Sequence, residues 1–215
     1  MNVFIVYAHP EPKSFDGVMF NHAVSVLTGM GHAVQLSDLY RMRFRPTVTT
    51  NDFTEPSDAL IFDLQREQAH AARSRGYAPD ILAEQQKLLW CDTLIFQFPL
   101  WWYSVPAIMK GWIDRVLAYG FAYGQGQSLI GRRAMCVLTT GGAPHPYTPE
   151  KREAISRLLD HLLRGTLHFC GMDVLPPFAV YGAVNTTEQQ RDQFLIQYTQ
   201  ILRTLETITP IDFSR

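Results

Sequence analysis

Charge is scarce and balanced in this chain: 18% of its 215 residues are charged and the formal net charge is -1. That leaves no basic field able to hold nucleic acid or an anionic membrane by electrostatics alone. Cysteine is scarce as well. Cys91, Cys136 and Cys170 are widely spaced, form no C-x-x-C pair and sit among apolar neighbours. Neither a metal site nor a disulfide framework is expected, and the thiols read as buried groups in a reducing compartment. The apolar run VFIVYA opens the chain without a basic lead-in, and HPEPK after it is no signal-peptide cleavage region, so a cytoplasmic location is expected. Long apolar runs are missing too. Thr93 to Met109 carries no charge, but it falls short of the ~20 residues of a spanning helix and contains Gln97, Pro99 and Pro106. No transmembrane segment is expected.

The absent motifs narrow the chemistry. There is no G-x-S-x-G elbow, no H-E-x-x-H and no convincing Cys/His nucleophile pair, so hydrolysis has little support. There is no G-x-G-x-x-G either, which argues against a nicotinamide held Rossmann-style; Gly124 and Gly126 do not lie between a strand and a helix.

What is present reads as strands and helices in alternation. Val3 to Ala8 is continuously apolar, as a strand covered on both faces must be. A helix follows from Ser14 to Gly29, then a strand at Ala33 to Asp38, an ordered excursion from Arg41 to Pro56, and helices at Ser57 to Arg75 and Pro79 to Trp90. Strands are expected at Thr93 to Phe98, Ala134 to Thr139 and Asp173 to Tyr181, and helices at Pro106 to Leu117 and Pro149 to Leu167. A last helix carries Phe194, Leu195, Tyr198, Ile201, Leu202 and Leu205. The pattern predicts an α/β fold: one domain over residues 1–215, a doubly wound five-stranded parallel sheet with helices on both faces, and a helical extension from about residue 183.

In such sheets ligands bind beyond the carboxyl ends of the strands. Three loops converge there: His9 to Asp16, Pro99 to Pro106, and Thr139 to Tyr147. The first opens a helix, whose free N–H groups favour an anion such as phosphate, with Ser14 either a further donor or only an N-cap. The second is an apolar shelf of Pro99, Leu100, Trp101, Trp102 and Tyr103, suited to a planar heterocycle. Lys110, Asp114 and Arg115 on the next helix read as a solvated face. In the third, Thr139, Thr140, Gly141 and Gly142 let backbone approach a ligand, or form a plain tight turn. Tyr147 is a credible donor to an oxygen that gains charge and is favoured over His145. An apolar slot with anion-binding and hydrogen-bonding edges suits a flavin, which then carries the redox chemistry.

The segments AHPEPKSFD, DILAEQQKL, FQFPLWWYSVPAIMKGWIDRV and TTGG with a tyrosine five residues on resemble the NAD(P)H:quinone oxidoreductases of the DT-diaphorase type, within the flavodoxin-like fold. The resemblance runs from about residue 3 to 175. It implies a homodimer with flavin at the subunit interface, hydride passing from NAD(P)H to flavin and then to a quinone by a ping-pong mechanism. It places His9, Ser14, Phe15 and Asp16 on the flavin phosphates, where the best-known members have asparagine at the position of Asp16. Pro99, Leu100, Trp102 and Tyr103 would line the isoalloxazine, Thr139 to Gly142 its pyrimidine edge, Tyr147 the reacting centre, and Arg191 the adenine of FAD. The family's catalytic histidine falls on Glu153, so His145 substitutes, or Tyr147 and the loop backbone suffice, or the acceptor differs. Gly120, where mammalian forms carry an acidic residue, keeps FMN open beside FAD. The competing readings are a flavodoxin-like regulatory subunit of an ion-efflux system, supported by the Arg41 to Pro56 excursion, and a flavodoxin-like electron carrier.

Overall fold

The structure, a computed structural model, describes residues 1–142 and 152–214. Strands β1 (Asn2–Tyr7), β2 (Ala33–Asp38), β3 (Thr93–Pro99), β4 (Arg133–Thr139), β5 (Asp173–Val174) and β6 (Phe178–Val180) form one parallel sheet. Its order is β2-β1-β3-β4-β5, with β6 also paired to β4. This is the flavodoxin-like order of a doubly wound sheet.

The central strands are buried on both sides, which explains their continuous apolar runs. Alternate residues feed two cores. Phe4, Val6, Phe96, Phe98, Cys136 and Leu138 face one core, and Val3, Ile5, Tyr7, Ile95, Met135 and Val137 face the other. The first core is closed by helices α3 (Pro79–Trp90) and α4 (Ala107–Val116), which contribute Leu88, Met109, Trp112 and Val116. Helix α5 (Arg152–Leu158) and the residues after it add Ile155, Leu159, Leu163 and Leu167. The second core is closed by α1 (Phe15–Gly29), whose Met19, Ala23 and Leu27 form its inner stripe, and by a C-terminal helix over Glu188–Arg203 that brings Tyr198 and Leu202. The three thiols are buried in or against the first core and unpaired, and burial pushes Cys91 up to about 12 and Cys170 up to about 11. They are inert at neutral pH. Among the described residues, no helix is long and apolar enough to cross a membrane.

Four expectations need correction. Asp173 to Tyr181 is not one strand: β5 pairs Ala134 with Val174 and β6 pairs Val137 with Phe178, so one extra residue is accommodated between them. Pro176 and Pro177 lie in that gap and have no N–H for the ladder. Helix α2 runs Leu64–Ser74, not from Ser57. Asp63 caps it through Arg66 N–H, while the N–H and hydroxyl of Ser57 are both spent on Glu67 at 2.8 and 2.7 Å. The helix expected to Leu167 breaks at Leu159 into α6 (Asp160–Leu162) and a π turn over Leu163–His168. Gly165 sits inside that turn, and the Thr166 hydroxyl donates to the His161 carbonyl at 3.0 Å. Its expected opening at Pro149 lies outside the described residues.

Arg115 is the fourth. It is 1% exposed rather than solvated: Nε and Nη2 reach Asp52 at 3.1 Å, Nη1 reaches Asp80 at 2.8 Å, and the guanidinium lies over Phe44. Arg45 also pairs with Asp52. This cluster fastens the Arg41 to Pro56 excursion to α4. Lys110 and Asp114, by contrast, form an exposed pair on that helix.

Candidate active site

Beyond the carboxyl ends of β1, β3 and β4 lies a cavity of about 320 Å³. Its walls include His9, Ser14, Phe15 and Asp16 from the first loop, Pro99, Leu100 and Trp101 from the second, and Thr139, Thr140 and Gly141 from the third. Arg191 closes it from the C-terminal helix α7 (Glu188–Arg203).

The first loop is shaped by its own short bonds. Ser14 Oγ accepts from Gly17 N–H at 3.1 Å, and Ser14 N–H donates to the Glu11 carbonyl at 3.1 Å. Ser14 is therefore an N-cap in this structure. A Cβ at Gly17 would stand 2.2 Å from the Pro12 carbonyl oxygen, so only glycine lets the loop fold down on the first helical turn. The N–H groups of Phe15 and Asp16 belong to the set that a helix N-terminus leaves for an outside acceptor. His9 Nδ1 accepts from Glu11 N–H at 3.0 Å, which leaves the proton of the neutral ring on Nε2, and burial lowers its pKa from the ordinary histidine value.

Asp16 forms part of the floor. It is 1% exposed, its Oδ1 accepts from Gln97 Nε2 at 3.0 Å, and the same nitrogen donates to its carbonyl at 2.7 Å. Gln97 Oε1 accepts from the Tyr198 hydroxyl at 3.4 Å. Asp16 Oδ2 and the Tyr7 hydroxyl are buried and make no hydrogen bond among the described residues. Burial pushes the Asp16 carboxyl up to about 7 against the smaller opposing effect of Gln97.

The second loop is a tight hairpin. Trp101 and Ser104 exchange N–H to O bonds of 3.1 and 3.0 Å, and between them Trp102 and Tyr103 both take positive φ, 48° and 59°. Positive φ at both central positions belongs to a type I′ turn, which favours Asn-Gly. Two bulky aromatics there cost roughly 1–2 kcal/mol each, and such strain clusters at functional sites. Trp101 lines the cavity, with its ring 6.3 Å from that of His9. Trp102 is 94% exposed and, like Tyr103, stands at the rim rather than in the lining of this single chain.

The third loop is latched to its neighbours. Leu100 N–H donates to the Thr139 carbonyl at 2.8 Å, Thr140 N–H to the Val180 carbonyl at 2.8 Å, and Ala183 N–H to the Thr140 carbonyl at 2.9 Å. The Thr140 hydroxyl donates to the Gly142 carbonyl at 2.8 Å and accepts from Gly182 N–H at 3.1 Å. A Cβ at Gly141 or Gly142 would meet nothing within 4 Å, so both positions face open space, and Gly141 lines the cavity. Arg191 lies over the Phe15 ring at 5.5 Å and donates from Nε to Thr186 at 3.0 Å. Tyr147 and His145 lie outside the described residues, and of Glu153 only its place in α5 is described.

The lining also holds Lys13, Ala183 and Val184, which sequence reasoning did not single out. Lys13 had a signal in its place beside Ser14. Gln97 had one too, as the polar residue of the run LIFQFP. Ala183 and Val184 had none, since it is the Thr140 latch that brings them in. The site thus joins an anion cradle, an apolar wall and a backbone-rich edge, an arrangement that can hold a flat aromatic group with an anionic tail.

This chain is similar to several known proteins. A family model for the flavodoxin-like fold matches residues 1–202. The ribosyldihydronicotinamide dehydrogenase [quinone] of Mus musculus is 43% identical, over 97% of this chain and 94% of its own. NAD(P)H dehydrogenase [quinone] 1 of Rattus norvegicus is 38% identical, over 98% of this chain and 79% of its own. The crystal structure of a candidate quinone reductase from Klebsiella pneumoniae superposes with a TM-score of 0.94 at 40% identity, covering all of this chain and 88% of that one. The chain belongs to the quinone reductase family of the flavodoxin-like fold.

Proposed function

We propose that this chain is a flavin-dependent NAD(P)H:quinone oxidoreductase that reduces quinones, or related aromatic acceptors, by two electrons in a ping-pong cycle. The observation that carries the flavin is the composition of the cavity: a helix N-terminus with Lys13 and Arg191 at one end, Pro99, Leu100 and Trp101 along one wall, and Thr139 to Gly141 along the other. The residues fit the group. Its phosphates match the N–H groups of Phe15 and Asp16, its ring the apolar wall, and its polar edge the threonine and glycine backbone. The bound flavin supplies hydride acceptance and donation.

The chain's own residues position and shield. The His9 ring and the hairpin hold Trp101 across the cavity, and the Thr140 latch keeps the glycine edge in place. Tyr147 donates a hydrogen bond to the oxygen that gains charge, with His145 as the second candidate. FAD is the cofactor, with FMN the alternative; Arg191 against Phe15 supports an adenine at that end. A second copy of the chain completes the site, for which the outward Trp102 provides an aromatic surface. The whole chain works as one domain in the cytoplasm, its helical extension from about residue 183 closing the cofactor end.

Rapid mixing tests this directly. NADH, NADPH and dihydronicotinamide riboside are each expected to bleach the flavin band when capable of donating, and a simple quinone restores it in a separate second step. Failure of all three donors to bleach bound flavin would contradict the activity. Replacing Tyr147 with Phe lowers turnover more than flavin content. Equilibrium sedimentation reads the dimer.

A further inference from the structure

The floor of the cavity contains a group that the reading above leaves without a task. Asp16 stands in the first turn of α1, a helix of 15 residues, directly under the anion cradle. One carboxylate oxygen is bound by Gln97, and the other, Oδ2, is buried with no hydrogen-bond partner among the described residues. A bare carboxylate in that position faces two demands of opposite sign: the site is built for an anion, and Oδ2 itself lacks a donor. A proton on Oδ2 resolves both. It turns the orphan acceptor into a donor and removes the negative charge from the cradle.

We propose that Asp16 makes cofactor binding proton-linked: neutral, it leaves the cradle free to take the flavin phosphate, and ionised, its buried charge in the first helical turn repels that phosphate. The inference rests on the flavin-phosphate reading of the cradle. The carboxyl is pushed up to about 7 by burial, so the switch falls within the physiological range. The other titratable and charged groups around it do not duplicate the effect. Tyr7 on β1 and Tyr198 on α7 are both raised, first by burial, and stay neutral. Asp38 at the end of β2 and Glu11 in the loop act on Tyr7, raising it further. Lys13 and Arg191 are the basic side chains of the cavity wall. Gln97 on β3 and Thr139 and Thr140 on β4 do not titrate. His9 titrates below the ordinary histidine range, beneath the Asp16 window.

The test is a fluorescence titration of apo-protein with FAD and with FMN from pH 6.5 to 9, on the natural chain, Asp16→Asn and His9→Gln. For the natural chain the dissociation constant is expected to rise up to tenfold per pH unit above about 7. Asp16→Asn keeps the acceptor for Gln97 and is expected to bind with no such slope and more tightly than the natural chain at pH 9. His9→Gln keeps the slope. Calorimetry in buffers of different ionisation enthalpy should show nearly one proton taken up per flavin at pH 8, and none for Asp16→Asn. A flat profile in the natural chain, or an unchanged slope in Asp16→Asn, overturns the proposal while the flavin reading stands. No flavin uptake at any pH overturns both.

Discussion

Asp16 and Asp52 lie equally deep, each 1% exposed, yet their surroundings differ in kind. Asp52 meets Arg115 and Arg45, and both of its oxygens are engaged by Arg115. Asp16 has one neutral amide partner and one bare oxygen. A buried charge that is paired is a clamp, and here it ties the Arg41 to Pro56 excursion to α4. A buried acid left half-satisfied beside a cavity is a group waiting for a ligand or a proton. The same residue type at the same depth is a clamp in one place and a half-satisfied acid beside a cavity in the other, and the difference lies in what reaches it.

The clamp breaks most expensively. Arg115→Met leaves Asp52 buried with one arginine, and a loss of about 3–5 kcal/mol in unfolding free energy by urea denaturation is expected. An exposed-pair loss of under 1 kcal/mol would mean that the two aspartates are not so different. Next comes the half-satisfied acid. Its carboxyl rises from 3.8 to about 7 on folding, so between these values the folded apo-protein holds more protons than the unfolded chain. Its contribution to stability is full below the lower value, falls as pH rises by at most ~1.4 kcal/mol per unit, and is flat above the upper value. Asp16→Asn is expected to remove that slope and to be more stable than the natural chain at pH 8, by at most about 4 kcal/mol in the same assay.

Smaller effects test the loops around Asp16. Trp102→Asn with Tyr103→Gly places the residues that a type I′ turn favours, so stability should rise by roughly 1–2 kcal/mol in a thermal melt. Turnover should fall in the same variant if the strain is kept for the site. Ser14→Ala removes an N-cap and should cost about 1 kcal/mol. Its flavin affinity reports whether the hydroxyl also serves the anion.

The sheet was legible in the sequence because its central strands are covered on both sides. Val3 to Ala8 and Thr93 to Phe98 carry that fact as unbroken apolar runs. Pro79 marked the start of α3 because a helix tolerates proline in its first turn. Where two local solutions competed, the sequence did not decide. Ser57 and Asp63 are both good caps, and it is Glu67, a full turn into the helix, that claims Ser57. The three loops of the site followed from topology alone, with their residues in the order that the strands deliver them. Arg115 misled because its partners Asp52 and Asp80 arrive from distant segments, and in isolation it looks like its exposed neighbours Lys110 and Asp114. The burial of Asp16 was hidden for the same reason, since Gln97 reaches it from β3, far along the chain. The positive φ of Trp102 and Tyr103 ran against turn chemistry and had no local signal.

The central claim is that the cradle, the aromatic wall and the glycine edge hold one flavin per chain. Extraction of the purified protein under denaturing conditions, with the released chromophore weighed by mass spectrometry and counted against the chain by absorbance, tests it most directly. FAD, or FMN in its place, is expected at close to one per chain after reconstitution. A colourless protein that takes up neither would contradict it.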